Sequence, residues 1–169
     1  MEVLDAILTR RSIRKYSNQP VTDDQIKVLL ESAMYAPSAV NKQPWHFIVF
    51  RDKSVIKAVT EKHPNASMLT DASAGILVCW DENLQHDKGY GPVDCSAATQ
   101  NILLATHSMG IGSVWVGIYP REQRMEFISE IFKLPPNIKG FSIVSLGYPA
   151  ETKMQPQRFN VHRIHYEKW

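Results

Sequence analysis

Cysteine is scarce in this 169-residue chain: Cys79 and Cys95 are the only two, too few for a disulfide framework. Both stand among apolar residues, and reduced thiols in a cytoplasmic protein are the economical reading. Net charge is also small, +2 with histidines neutral. That is too little for a chain whose affinity must come from neutralised nucleic-acid phosphates, and the basic residues lack interleaved aromatics. No apolar run approaches the roughly 18 residues of a membrane span. The start, Met1-Glu2-Val3-Leu4-Asp5, lacks the basic flank and apolar stretch of a signal peptide. No G-x-S-x-G and no P-loop occurs. Gly110-Ile111-Gly112 fails as a dinucleotide fingerprint, because Trp115 stands where a third glycine is needed and the segment follows a helix. His162 and His165 have no ligand cluster beside them, so no metal site is expected.

What is present is an ordinary composition, 44% hydrophobic and 21% charged, and a length that fits one domain over residues 1–169. Val3 to Leu8 reads as a short amphipathic helix. The next helix has a sharp start: Thr22 caps it, Gln25 closes a capping box, and Val21 and Ile26 stand where a hydrophobic staple needs them. It runs to about Tyr35, where Pro37 ends it. Trp45 to Phe50 reads as a buried strand, Ser54 to Lys62 as a surface helix, and Ala74 to Trp80 as a second apolar strand. Residues 81–92 read as a mobile loop. Asp94 to Met109 is the strongest helix, stopped by Gly110. Ser113 to Ile118 and Phe141 to Leu146 are two further strands, with a helix between them opened by Pro120. The fold class is therefore α+β, an α/β sandwich in which helices flank a central, mostly antiparallel sheet of four to five strands. The tail 152–169 carries Phe159, Val161, Ile164, Tyr166 and Trp169, too much apolar surface to float freely, and is expected to dock on a partner subunit.

Two segments carry chemistry. Arg10-Arg11-Ser12-Ile13-Arg14 suits a phosphate, since guanidinium grips phosphate oxygens in pairs and Ser12 adds a hydroxyl. The bland reading is a solvated helix end whose cations complement the helix dipole. Ala36-Pro37-Ser38-Ala39-Val40-Asn41-Lys42-Gln43-Pro44-Trp45 sets small residues, two prolines and the amides of Asn41 and Gln43 before a strand. Such a loop can press against a flat ligand and reach its polar edge. A planar ring with a phosphate suggests a mononucleotide, and flavin mononucleotide (FMN) leads. His46 reads as a structural histidine, and Cys95 as a buried small hydrophobe rather than a reactive thiol.

Together with Ala97 to His107, Gly110 to Gly117 and Val144-Ser145-Leu146-Gly147-Tyr148-Pro149, these segments resemble the nitroreductase family of FMN-dependent oxidoreductases along nearly the whole chain. The resemblance implies a homodimer with an exchanged C-terminal tail and FMN at the subunit interfaces. It implies that Arg10, Arg11, Ser12 and Arg14 face the phosphate and ribityl side, with Arg14 near the pyrimidine end of the ring. Pro37, Ser38, Ala39, Asn41 and Gln43 would approach the ring from the other subunit. Val116, Gly117 and Ile118 match the strand end that meets the ring, Asn65 an asparagine at the pyrimidine edge, and Arg158 a late basic residue that returns to the phosphate. Larger relatives place a Lys where this chain has Met68. The implied activity is ping-pong reduction of nitroaromatics, quinones or related acceptors, with NADH or NADPH as a transient donor and no catalytic side chain beyond the flavin. A flavin store, a regulatory protein, or another flavin reaction on the same scaffold is the alternative.

Overall fold

The structure, a computed structural model, describes residues 1–169. Its elements in chain order are α1 (Val3–Thr9), α2 (Asp23–Met34), β1 (Trp45–Phe50), α3 (Lys53–Lys62), β2 (Ala74–Asp81), α4 (Tyr90–Ser108), β3 (Gly112–Gly117), α5 (Glu122–Phe132) and β4 (Ile138–Gly147), with short 3-10 turns at Ala39–Asn41, Ser67–Thr70 and Val161–Arg163. The four strands form one sheet in the order β1-β2-β4-β3, and every neighbouring pair is antiparallel.

The sheet is covered on both faces. Alternation along β2 sends Ala74, Ile76, Val78 and Trp80 toward α2 and α4, and Leu77 and Cys79 toward α3 and α5. That two-sided burial is why β2 reads as an unbroken apolar run rather than an alternating one. α2 starts as its sequence demands. The Gln25 N–H donates to Thr22 Oγ1 at 3.2 Å, the Thr22 N–H donates to Gln25 Oε1 at 3.0 Å, and Val21 and Ile26 are both buried. At the far end of α4 the Ile111 N–H reaches back to the Thr106 carbonyl at 2.8 Å, with Gly110 at φ +73°. This is the glycine-terminated helix end that its sequence announces.

Three expectations need correction. α4 begins at Tyr90, so residues 90–92 belong to its first turn rather than to a loop. α5 begins at Glu122, two residues after Pro120, which lies in the preceding turn. β1 is an edge strand, half-buried instead of buried, and its His46 is exposed with no hydrogen-bond partner. The apolar side of α1 finds no partner in its own chain: Val3 is 71% exposed and Leu4 70%, and Ala6 alone is buried. The tail likewise leaves the body. Beyond Glu151 it touches the rest of the chain through two hydrogen bonds, Arg11 Nε to the Met154 carbonyl (3.1 Å) and Gln155 Nε2 to the Leu8 carbonyl (3.4 Å). Phe159, Tyr166 and Trp169 stand in the open.

Candidate functional site

The residues from Arg10 to Tyr16 leave α1 and run extended beside the start of β3. There the Ile13 N–H donates to the Ser113 carbonyl at 3.0 Å, and Ser12 bridges Ser113. Two glycines admit this segment. Gly112 and Gly147 face each other across the β3–β4 ladder, and a Cβ on either would strike Ile13 or Tyr16 at under 3.0 Å. Ile13 packs into the α3/α5 core. The Arg14 N–H is held by Glu151 Oε1 at 2.6 Å.

Arg14 forms one wall of a cavity of about 450 Å³, within the size range of cofactor sites. His63, Asn65 and Met68 come from the turn after α3, Val114 to Gly117 from β3, and Arg124 from α5. No acidic side chain lines it. Of the expected residues, Arg14, Asn65, Val116 and Gly117 are thus brought together. Ile118 is not available to the space: its side chain is fully buried, its N–H is bonded to the Phe141 carbonyl, and its own carbonyl accepts the Arg121 N–H. A second cavity of about 620 Å³, between the end of α3 and the start of α5, shares Pro64 and Arg124 with the first.

Gly117 is the telling residue. Of the eight glycines in the chain, five would drive a Cβ into neighbouring atoms at under 3.0 Å, and Gly89 and Gly110 sit at positive φ. Gly117 has neither reason: its φ is ordinary and a Cβ there would meet nothing within 4 Å. The protein's own packing does not require a glycine there. The backbone there is left open to the space beside it.

A second group of cations gathers nearby. Burial, then the charges of Arg158 and Arg11, press the Arg10 guanidinium below its ordinary pKa, and none of the three has a carboxylate partner. His107 is also held below its ordinary value, by burial first and then by Arg10 and Arg11, and its Nε2 pairs with Thr9 Oγ1 at 2.8 Å. Clustered guanidinia without an acid among them are what a dianion stabilises. Arg11 differs from its neighbours. Its Nε and Nη1 are spent on the carbonyls of Met154, Leu8 and Arg10, which pins the exit of the tail.

The loop Pro37 to Gln43 shares no residue with either cavity. It is strained: Val40, Asn41 and Gln43 all have φ near +50° (51°, 54° and 49°), which costs energy in any residue with a Cβ, most in the β-branched valine. The Gln43 N–H donates to Ser38 Oγ at 3.0 Å, and Gln43 Nε2 donates to Asn41 Oδ1 at 2.8 Å, so the two amides hold each other. The Ala39 N–H donates to Asp94 Oδ1 at 3.0 Å. Asp94 is 4% exposed, and its Oδ2 is the one buried side-chain polar atom without a partner.

His63, Arg124 and Asp94 were missed in the sequence. The visible hint was Asp94, a carboxylate leading an otherwise apolar helix face; nothing local marks the other two. Cys79 and Cys95 behave as expected: both are fully buried and burial raises their thiol pKa, that of Cys79 to about 12. No group of three or more His, Cys, Asp or Glu side chains assembles around a metal-sized space, and no helix is long and apolar enough to cross a membrane.

Comparison with known proteins agrees with this fold. The profile of the Nitroreductase family matches residues 7–63 and 55–148. A protein of Archaeoglobus fulgidus, provisionally named NADH dehydrogenase/NAD(P)H nitroreductase, is 51% identical over 172 residues, covering 99% of this chain and 99% of its own. The crystal structure of a like-named protein from Parabacteroides distasonis matches with a TM-score of 0.95 at 36% identity, over 99% of this chain and 98% of that one. A nitroreductase of Desulfovibrio desulfuricans, crystallised in complex with FMN, matches with a TM-score of 0.88 at 28% identity, over 100% and 98% of the two chains. With four antiparallel strands between two helical layers and a family profile spanning most of its length, this chain belongs to the nitroreductase family.

Proposed function

We propose that this protein is an FMN-dependent oxidoreductase that takes electrons from NADH or NADPH and delivers them to nitroaromatics, quinones or related electron-poor acceptors, and that it works as a cytoplasmic homodimer. The observation that carries the reading is Gly117, a glycine whose missing side chain leaves room for a flat ring in a cavity walled by Arg14, Asn65 and Arg124. When bound, FMN supplies the acceptance and return of a hydride.

The side chains divide the remaining work. Arg10 and Arg158, helped by the Ser12 hydroxyl, bind the phosphate. The Asn65 amide offers both a donor and an acceptor to the pyrimidine edge. Arg14 and Arg124 bring positive charge to the ring end, worth about 1–2 kcal/mol to an anionic ring if partly desolvated. Met68 stands where larger relatives have a Lys, and Arg124 on α5 brings a cation to the same cavity. The Pro37-Ser38-Ala39-Val40-Asn41 loop lines no part of its own chain's cavity, which suits a role toward a partner subunit. The unpartnered apolar side of α1 and the outstretched tail suit the same assembly. Donor and acceptor would then occupy the one open ring face in turn, in ping-pong order.

The test is Gly117→Val. A branched side chain there enters the cradle on a Cβ that meets no protein atom within 4 Å, so FMN binding falls by two orders of magnitude or more while the melting temperature of the flavin-free protein holds. Undiminished FMN binding by that variant overturns the reading. Anaerobic addition of NADH or NADPH to the wild-type complex separates a reductase from a flavin store, since only the former bleaches rapidly.

A further inference from the structure

We infer that His63 is the positioning residue of this cavity: its neutral imidazole, held as the Nε2–H tautomer, sets Asn65 and Gly117 at a fixed distance across the space the ring would occupy. The inference rests on the cavity being the flavin site proposed above.

His63 is 1% exposed and lies at the C-terminal end of α3, where nothing in the redox chemistry uses it. Its Nδ1 stands 3.2 Å from the Asn65 backbone nitrogen, and its Nε2 stands 3.0 Å from the Gly117 carbonyl oxygen. A backbone N–H can only donate and a carbonyl can only accept. Nδ1 must therefore be bare and Nε2 must carry the proton. Two partners of opposite polarity admit one protonation state of the ring, so the tautomer is dictated by the backbone around it. The bond to Gly117 crosses 54 residues of sequence and ties the turn after α3 to the end of β3. The same carbonyl accepts from Arg124 Nη1 at 2.7 Å, so both of its lone pairs are engaged and the Gly117 peptide cannot turn. Phe127 packs edge-on against the imidazole, ring centroids 6.2 Å apart, and fixes it from the α5 side.

A second proton on His63 would point Nδ1–H at the Asn65 N–H and break that bond. It would also add positive charge where Arg124 on α5, Arg121 just before that helix and Arg14 across the cavity already stand. No lining residue is acidic, β3 contributes no charge, and Lys62, next in the chain, is paired with Glu130 at 3.0 Å. Burial first, then the Arg124 and Arg121 guanidinia, hold the imidazole below its ordinary pKa against the opposing pull of the Gly117 carbonyl. Protonation should therefore loosen both walls and release FMN.

The experiment uses the full chain with FMN as the probe. The first readout is the imidazole nitrogen spectrum at pH 7.5, with and without FMN, in which His63 shows a bare Nδ1 and a protonated Nε2. The second is FMN affinity from pH 8 to pH 5.5 for wild type, His63→Gln and His63→Phe. Glutamine can offer one acceptor and one donor, phenylalanine neither. At pH 7.5 His63→Gln stays within about threefold of wild type and His63→Phe weakens about tenfold, the worth of a polar wall left unpaired. Both variants lose part of the acid-side weakening. The FMN phosphate and His107 titrate alike in all three proteins, so the difference between the profiles reports His63. An Nδ1–H tautomer, wild-type affinity in His63→Phe, or an unchanged acid limb in both variants overturns the inference. If His63→Phe does not fold, the spectrum and the His63→Gln profile decide. Wild type that fails to bind FMN at pH 8 strikes the reading of the cavity instead, and the tautomer spectrum still judges His63.

Discussion

Arg10→Ala separates two explanations of the amino-terminal cations, because they predict opposite signs for its effect on the protein without cofactor. If Arg10 completes the C-terminal end of α1, its charge complements the helix dipole and its loss destabilises, by about 0.3–1 kcal/mol. The structure argues against this. The Arg10 side chain makes no hydrogen bond or ion pair within the protein, and its nearest charged neighbours, Arg158 and Arg11, repel it. Removing it relieves that repulsion, so the flavin-free protein should melt at the same temperature or slightly higher. Binding should respond the other way. One charge-assisted contact to phosphate is worth about 1.5–3 kcal/mol, so FMN affinity should fall roughly 30-fold for a mid-range 2 kcal/mol. The assay is a pair of measurements on one preparation: thermal melting of the protein stripped of cofactor, and titration with FMN followed by flavin fluorescence. A lowered melting temperature with unchanged FMN affinity would refute the phosphate assignment and return Arg10 to the helix end.

Other consequences follow from the same geometry. Deleting residues 152–169 removes exposed apolar side chains that nothing in the chain covers; the melting temperature of any monomer should barely move while the association state falls, as light scattering would show, and an equally stable dimer would contradict the docking role of the tail. Asp94→Ala frees the Ala39 N–H and unpins the strained loop; it should cost about 1 kcal/mol, because the lost bond is offset by removal of a half-satisfied buried carboxylate, and raise KM more than it lowers stability, whereas Asp94→Asn keeps the acceptor and should restore KM. Folded His63 and His107 both hold their pKa below the ordinary 6.5, so the unfolded chain binds more protons from about pH 6.5 down to their depressed values. Melting temperature should therefore fall as pH drops through that window and stay flat above it, and His63→Gln should remove part of the fall.

Much of this molecule is legible because local chemistry and global fold agree. Thr22 and Gln25 announce the start of α2, and the Ala74–Trp80 run announces a strand buried on both faces. The first turn of α4 was hidden by residues that look like breakers. Pro92 is the third residue of that helix, and the leading N–H groups of a helix have no acceptor within it, so a proline there forfeits no hydrogen bond. Gly91 is equally misleading: it lies in the helix because a Cβ would strike the Trp80 ring at 2.1 Å. His46 fails for a different reason. Composition shows that β1 is apolar but not that it is the edge of the sheet, and an edge position exposes what a central strand would bury.

The site divides along the same line. Arg14, Asn65 and Gly117 stand in segments whose composition or family likeness marks them. His63 and Arg124 owe their place to one carbonyl, that of Gly117, which they reach from different helices. Neither has a sequence signature, since a histidine after a surface helix and an arginine on an amphipathic one are commonplace. Their importance comes from convergence: two donors on one acceptor stop a glycine peptide from rotating at the point where the chain has given up a side chain. A glycine relieved of its Cβ is free to move, and freedom is a poor property in a surface proposed to receive a rigid ring. The pair from α3 and α5 removes that freedom without filling the space. A backbone able to accept a flat ligand therefore needs distant side chains to hold it, and those are the residues a linear reading passes over.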